Sequence, residues 1–259
     1  MISIIRHIAY ALFIIIGSYL LWYFSIIIHE VGHLIAALIN GHRFISITVG
    51  PVKIYRAEKG LKISFFKEWN GLCQTVPEKD VIMDSEKLNR VTRKVILAGP
   101  ISNVIFVLLL FILIFVFFGN SRMLPIILSL TLAPLVFTIY SFKIEFDGGW
   151  SDIAVYSMLK SKTKKEVMEA CLRIHYLVLS IDSVDELERG TSIKNINSSD
   201  IDLLLSSGDV RFEYLALWYA YEYYKAIGNI AKAEEMKGKQ SLLHDKVNEL
   251  ARSSLMIHD

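Results

Sequence analysis

The sequence predicts an integral membrane protein that is mainly α-helical, with three spanning helices, a small β-sheet insertion and a C-terminal helical domain. The chain has 259 residues, of which 53% are hydrophobic, and its mean hydropathy is +0.43. Soluble domains of this length are usually less apolar and more charged. The apolar residues lie in long runs, whereas the chain after residue 155 is charged and amphipathic.

Three apolar runs are long enough to cross a bilayer as helices. Their approximate bounds are residues 8–40, 95–118 and 123–142, and each reaches the ~20 residues that a helix needs to span the hydrocarbon core. A backbone that faces lipid must satisfy its own hydrogen bonds, so helix is the predicted form. The first run continues past Ile28 without a small-residue cleavage site, which favours a retained helix over a cleaved signal peptide.

The second and third runs are joined by a very short connection, residues 119–122. This length predicts that the two helices form an antiparallel hairpin. Pro125 and Pro134 lie in the third run, and we expect them to kink it, which membrane helices tolerate.

Between the first two runs, residues 43–77 are predicted to form a β-rich insertion. Four patches with alternating apolar residues predict short strands: Phe44–Val49, Val52–Tyr55, Leu61–Phe65 and Leu72–Val76. Three residue pairs that favour turns accompany them: Gly50-Pro51, Lys59-Gly60 and Asn70-Gly71. We expect a small sheet or a pair of hairpins here, followed by a helical stretch over residues 80–93.

The distribution of lysine and arginine predicts how the chain is oriented in the membrane. Residues 41–94 carry eleven of them, whereas the loop after the second span carries only Arg122 and the tail before the first span only Arg6. The positive-inside rule therefore predicts that residues 41–94 face the cytoplasm of a multi-pass cell-membrane protein. Two further crossings return the chain there, so the C-terminus is also predicted to be cytoplasmic.

The chain is predicted to divide into a membrane part, residues 1–154, and a cytoplasmic helical domain, residues 155–259. The stretch 215–237 has a helix, then Gly228-Asn229, then a second helix, which resembles one tetratricopeptide-type hairpin. An ordinary helical bundle is the alternative. Because such hairpins present concave binding faces, we expect a regulatory protein as a possible partner of this domain.

Composition also excludes some classes of function. The formal net charge is +2, and no long block of lysine or arginine and no nucleic-acid motif is present, so a nucleic-acid partner is not expected. Cys73 and Cys171 are too far apart in sequence to indicate a disulfide framework or a thiolate metal cluster.

The segment His29–His33, which reads His-Glu-Val-Gly-His, carries the strongest chemical signal. On a helix, residues four apart lie nearly above one another, so both imidazoles face the same way. Two neutral imidazole nitrogens at this spacing can bind one zinc ion. Glu30 follows the first histidine directly and can reach a metal-bound water. The pattern predicts His29 and His33 as metal ligands and Glu30 as the catalytic residue.

The position of this segment supports a function. Between Arg6 and Arg43, Glu30 is the only formally charged side chain. A carboxylate in an apolar membrane helix costs roughly 3 kcal/mol on insertion scales, which a functional role explains. The alternative is a buried polar cluster that bonds to neighbouring helices or relays protons.

A catalytic zinc ion usually has three protein ligands and one open position. Asp147, directly before Gly148-Gly149 at the end of the third run, is the predicted third ligand. That end of the third helix and the two histidines are expected at similar depth in the membrane. Glu145 and Asp152 are the alternative ligands, ranked behind Asp147. Taken alone, Asp-Gly-Gly is also typical of a plain turn at a helix end.

These motifs resemble those of the site-2 protease family of intramembrane metalloproteases. Three motifs match in the family's order: His29–His33 followed by Gly50-Pro51, then the Gly-Pro-x-x-Asn pattern in Ala98–Asn103, then the Asp-Gly of Asp147-Gly148. The resemblance covers roughly residues 10–155. The family often has an Asn and several prolines just before the Asp-Gly, and residues 138–146 contain neither.

The resemblance implies a three-helix transmembrane metalloprotease core. It implies one Zn²⁺ held by His29, His33 and Asp147, with Glu30 as the catalytic base. The expected activity is hydrolysis of peptide bonds in membrane-spanning or membrane-associated substrate proteins, within the lipid bilayer.

Two further residues and two other functions complete the predictions. Asn103 is expected either to contact the substrate or to hydrogen-bond between helices, and Gly148 is expected beside the substrate. A membrane transport or channel subunit could use the His/Glu cluster for protons or metal. A non-catalytic membrane adaptor is the second alternative, although it would have no need of Glu30.

Overall fold

The computed structural model describes residues 2–57, 59–142, 145–146, 149–179, 193 and 196–256. In this part of the chain the protein is mainly helical and contains two antiparallel strand pairings. The elements in chain order are α1 (Ile2–Ile39), β1 (Arg43–Ala57), β2 (Gly60–Val76), α2 (Lys79–Met83), α3 (Ser85–Phe118), α4 (Leu124–Leu130), α5 (Leu132–Ser141), β3 (Glu145–Phe146), β4 (Gly149–Trp150), α6 (Asp152–Lys160), α7 (Lys165–Leu179), α8 (Ser198–Leu205), α9 (Val210–Ala226) and α10 (Ile230–Met256).

Three helical segments are long and apolar enough to cross a membrane: His7–Ile39, Ser85–Phe118 and Leu124–Ser141. They confirm that the three predicted runs form helices long and apolar enough to cross a membrane. At most 22% of the most apolar window of each segment is buried inside the protein. Apolar surface of this extent favours a lipid environment, because its exposure to water would carry a large free-energy cost.

The second spanning helix, α3, begins well before the apolar run that defined it. Asp84 caps its N-terminus, because the carboxylate accepts hydrogen bonds from the backbone N–H groups of Glu86 and Lys87, both at 3.0 Å. The first turns of α3 precede the apolar run, which starts at residue 95, and they are polar.

The third span is broken into α4 and α5 at Thr131. Pro134 has no backbone N–H, so the carbonyl of Leu130 loses the donor that it would have in a continuous helix. The N–H of Thr131 instead reaches the carbonyl of Leu128 at 3.0 Å. The predicted kink is therefore present at Pro134, whereas Pro125 lies in the first turn of α4, where its missing N–H disturbs nothing.

Strands β1 and β2 form one long antiparallel hairpin rather than several short strands. The predicted Lys59-Gly60 turn is confirmed, and Gly60 has a φ of +99° that favours glycine. The predicted turns at Gly50-Pro51 and Asn70-Gly71 are wrong, because Gly50 pairs with Asn70 inside the hairpin. The register shifts between Gly50 and Val52, where Pro51 cannot donate to the ladder.

The helices that follow residue 152 pack against the first turns of α3 and the base of the hairpin. Their apolar side chains form one core with Ile45 and Val76 of the hairpin and with Ile82 and Leu88 of α2 and α3. Helices α9 and α10 form the helix–turn–helix expected from the sequence, and Gly228 in their turn has a φ of +83°. The division of the chain at residue 154 stays a prediction.

Buried polar contacts connect these helices to α3. The amide of Asn89 on α3 donates to the carboxylate of Glu169 on α7 at 2.7 Å. The guanidinium of Arg173 on α7 donates to both carboxylate oxygens of Asp200 on α8 and to the hydroxyl of Ser85 at the start of α3. Bidentate arginine–carboxylate pairs fix geometry as well as adding energy, so Arg173 orients α7 against α8, while Asn89 and Ser85 connect α7 to α3.

His42, which lies in the short connection between α1 and β1, is a buried histidine whose charge state depends on pH. It is 4% exposed, its Nδ1 lies 3.0 Å from the Thr75 hydroxyl, and its Nε2 has no hydrogen-bond partner among the described residues. Burial lowers its pKa from 6.5 to about 4. Because the pKa of His42 is lower in the folded state, the stability that depends on a neutral His42 is fully present above pH 6.5. This contribution is lost as the pH falls toward 4.

We expect acidification from pH 7 to pH 5 to destabilise the wild type by about 2 kcal/mol more than a His42→Gln variant. The glutamine amide can keep a hydrogen bond to Thr75 but does not titrate. Thermal unfolding of both proteins in detergent, followed by circular dichroism at several pH values, measures the difference. Identical pH dependence in the two proteins would contradict the role of His42.

Candidate metal centre

Helix α1 presents His29 and His33 toward helix α3 and Glu30 toward strand β2. All three are buried, with exposed fractions of 7%, 6% and 9%. The i, i+4 spacing brings the two imidazoles together edge to face, with ring centroids 4.7 Å apart. The two helices approach closely because Gly32 has no side chain, and a Cβ there would lie 2.2 Å from the Ser102 hydroxyl oxygen.

The third group at this site is Asp152, the first residue of α6. Its Oδ2 lies 2.9 Å from His29 Nε2 and 3.2 Å from His33 Nε2, and the two Nε2 atoms are 3.1 Å apart. Ser151 caps α6 by accepting a hydrogen bond from the Ala154 N–H at 3.1 Å. This cap places Asp152 in the first turn, where the helix dipole favours a negative charge.

The carboxyl group of Asp152 is ionised at neutral pH. Burial raises its pKa, but the neighbouring imidazoles of His29 and His33 lower the pKa more, so the net pKa lies below its usual range. Metal binding requires deprotonated carboxylates and neutral imidazoles. The site therefore offers a carboxylate in the form that binds a cation.

The donor set and the space between the donors fit one zinc ion. In a tetrahedral zinc site with bonds of about 2.0–2.1 Å, neighbouring ligand atoms are about 3.3 Å apart, close to the distances between these three atoms. Gly99 on α3 borders the same space, since a Cβ there would lie 2.4 Å from His33 Nε2 and 2.8 Å from His29 Nε2. Within the described part of the chain, His29, His33 and Asp152 form the one such group of potential ligands.

We expect Gly99→Ala to weaken zinc binding by at least the roughly 10–100-fold that loss of an outer-shell partner costs. The added methyl group would crowd both Nε2 atoms. Zinc content and affinity of the purified variant measure the effect. Gly238→Ala is the matched control, because a Cβ at Gly238 meets nothing within 4 Å. Wild-type zinc affinity in Gly99→Ala would mean that the ion does not lie at this position.

Each imidazole is held through its second nitrogen. His33 Nδ1 lies 2.8 Å from the Val95 carbonyl, and because a carbonyl only accepts, this nitrogen carries the proton of the neutral ring. His29 Nδ1 lies 3.1 Å from the Asn103 amide, and the Phe137 ring on α5 packs edge-on against His29 with centroids 5.9 Å apart. Metal-binding histidines are almost always oriented by such contacts.

The carboxylate of Glu30 lies between α1 and strand β2. A Cβ on Gly71 of β2 would lie 2.5 Å from Glu30 Oε1, and the backbone N–H of Cys73 donates to the same carboxylate. His33 and Asp152 are near enough to Glu30 to interact with it electrostatically. A carboxylate placed between the donor group and a strand backbone can exchange protons with a water molecule at the site.

The structure brings His29, Glu30 and His33 together with Asp152, which the sequence had ranked behind Asp147. Asp147 and Gly148 lie outside the described residues, so their roles as third ligand and substrate contact stay predictions. Glu145 pairs with Trp150 in the short β3–β4 ladder. Asn103 contacts His29, which joins α1 to α3 and places the amide in the site.

Sequence reasoning missed Val95, Gly99 and Gly71. The glycine of Gly-Pro-x-x-Asn gave a usable signal for Gly99, since a glycine in a membrane helix often marks close approach. The Val95 carbonyl is a backbone group and leaves no signal in the residue type. The contact of Gly71 with Glu30 depends on how the hairpin packs against α1.

Comparison with known proteins adds one match. Residues 18–236 match the family model described as Peptidase family M50. This range includes the second and third candidate spans, residues 18–39 of the first, the whole β1–β2 hairpin and every side chain of the metal centre described above. No curated protein and no solved structure matches the chain.

Proposed function

The chain belongs to peptidase family M50, and from this premise we propose that it is an intramembrane zinc metalloprotease that hydrolyses peptide bonds of membrane-spanning or membrane-associated proteins. Membership confirms the resemblance to the site-2 protease family. The observation that carries the proposal is the convergence of His29, His33 and Asp152, with ligand atoms within 4.8 Å of one another, beside the buried Glu30.

In the proposed reaction, His29 and His33 would hold the metal through Nε2, and Asp152 would hold it through a carboxylate oxygen. When bound, zinc supplies Lewis-acid activation of water and of the scissile carbonyl. Glu30 takes a proton from the water molecule while the oxygen of that water attacks the carbonyl carbon. It then delivers this proton to the leaving nitrogen as the C–N bond breaks. Burial of these side chains strengthens their electrostatic interactions with the reacting groups.

The β1–β2 hairpin is proposed to position the substrate. An intact membrane helix hides its carbonyls in hydrogen bonds, so the substrate must unwind locally into an extended segment. In the described part of the chain the hairpin forms a sheet of two strands, which leaves an outer edge where an extended peptide can pair. Strand β2 passes directly beside Glu30 at Gly71, so a peptide held along it would reach the base.

A Gly71→Val variant tests this role of the hairpin. The added side chain would fill the space between β2 and Glu30, so we expect slower cleavage with unchanged zinc content. Cleavage at the wild-type rate would show that the substrate does not approach along β2.

The orientation in the membrane is also proposed. The excess of lysine and arginine in residues 41–94 favours placing this segment and the C-terminal helices in the cytoplasm. Reporter fusions in the 119–122 loop and after residue 256 should report opposite sides of the membrane, with the C-terminal reporter inside. Both reporters on one side would contradict the proposal.

Metal removal tests the function as a whole. We expect the purified chain to hold about one zinc ion, and a chelator to abolish its cleavage of a reconstituted single-span protein until zinc is returned. Candidate substrates come from cells that express the chain, as proteins with new termini inside their spans by mass spectrometry. A chain without stoichiometric zinc, or without zinc-dependent cleavage in such cells, would contradict the proposal and favour a transport subunit or an adaptor.

A further inference from the structure

Asn103 on α3 is completely buried, and only one end of its amide has a partner. Its exposed fraction is 0%, and its Nδ2 lies 3.1 Å from His29 Nδ1. Its Oδ1 is also buried and has no hydrogen-bond partner among the described residues. Leaving a buried polar atom unpaired costs about 1–3 kcal/mol, so a buried Asn at this position needs an explanation.

The amide orientation decides which nitrogen of His29 carries the proton. If Asn103 Nδ2 donates to His29 Nδ1, the neutral ring carries its proton on Nε2. That N–H would point at the other potential metal ligands, because His29 Nε2 lies 2.9 Å from Asp152 Oδ2 and 3.1 Å from His33 Nε2. No lone pair would then be available on Nε2 for a metal.

Rotation of the amide by 180° exchanges its two ends and reverses this result. Asn103 Oδ1 then accepts a hydrogen bond from His29 Nδ1–H, and the Nε2 lone pair faces the other ligand atoms. This is the arrangement that the Val95 carbonyl imposes on His33, whose Nδ1 it holds as a donor at 2.8 Å. With the amide rotated, His29 and His33 each present an unprotonated Nε2 to the same point in the site.

We propose, on the basis of the zinc protease function, that Asn103 is a positioning residue for the metal ligand His29. Its amide oxygen accepts from His29 Nδ1–H, fixes the ring orientation and leaves Nε2 free for zinc. Contacts of this kind hold the proton on the nitrogen that does not bind metal and raise the basicity of the one that does. Gly99 and Asn103 are one helical turn apart on α3, so the same face provides both space and orientation.

Three variants of the full-length chain test the hydrogen bond through zinc affinity, measured by competition with a chromophoric chelator in detergent. Asn103→Leu keeps the branched shape of the side chain without the polar group, and we expect 10–100-fold weaker binding. Asn103→Asp can only accept from Nδ1–H when ionised, and we expect affinity close to wild type. Ser102→Ala is the matched control on the next residue, because its hydroxyl donates only to the Ala98 carbonyl, and we expect no change.

A spectroscopic measurement on the zinc-loaded wild type does not depend on whether the Asn103 variants fold. In ¹⁵N-histidine-labelled protein, we expect the His29 Nδ1 resonance of a protonated nitrogen, assigned by its loss in His29→Gln. An unprotonated Nδ1 would overturn the inference. So would wild-type zinc affinity in Asn103→Leu, or equal losses in Asn103→Leu and Asn103→Asp. A wild type that binds no zinc would instead overturn the proposed function.

Discussion

Replacing Glu30 by glutamine is expected to slow cleavage by a factor of about 10²–10⁴, the range that general acid–base groups contribute, with zinc still bound. Glutamine has nearly the same volume, but its amide cannot take a proton from water or return it to the leaving nitrogen. Glu30 does not belong to the group of three potential metal ligands, so its loss leaves that group intact. Cleavage by the purified variant, together with its zinc content, measures both expectations.

Glu86→Gln is the matched control for this variant. Glu86 is exposed in the first turn of α3, so the same change of charge there should leave cleavage and zinc content at the wild-type level. Undiminished cleavage in Glu30→Gln would remove Glu30 from the chemistry. Loss of zinc in Glu30→Gln would instead make Glu30 a ligand.

Asp152→Asn is expected to have the second large effect, a loss of zinc affinity beyond the roughly 100-fold that an outer-shell partner can cost. The variant keeps the shape of the side chain but removes the charge that holds a cation between His29 and His33. Their Nε2 atoms would then share the ion without a carboxylate. Zinc affinity by chelator competition, and cleavage at saturating zinc, measure the loss.

Asp147→Asn decides between the two acidic candidates for the third ligand. The contacts of Asp152 with both imidazoles lead us to expect that Asp147→Asn binds zinc as the wild type does. The opposite outcome, with zinc lost in Asp147→Asn and kept in Asp152→Asn, would restore Asp147 as the ligand that its Asp-Gly motif predicts. The two variants carry the same chemical change five residues apart, so each serves as the control for the other.

Features that depend on a local rule could be predicted from the sequence. The three spans follow from the length of the apolar runs, because bilayer thickness sets how many residues a helix needs. The shared direction of His29 and His33 follows from the helical repeat, whatever the rest of the fold does. The kink at Pro134 follows from a missing N–H.

Features that depend on packing between distant segments could not be predicted. Gly50-Pro51 and Asn70-Gly71 each favour a turn locally, yet cross-strand pairing places them opposite each other inside one hairpin, because a long ladder satisfies more backbone groups than separate short strands do.

The sequence by itself determined the membrane character of this protein, its helical His-Glu-Val-Gly-His motif and the resemblance to its family. Only the tertiary structure decided which groups surround that motif: Asp152 from α6, the Val95 carbonyl and Asn103 from α3, and Gly71 from β2. The physical reason is that ligand geometry is set by how helices and strands far apart in the chain pack together. No periodicity within one segment encodes those distances.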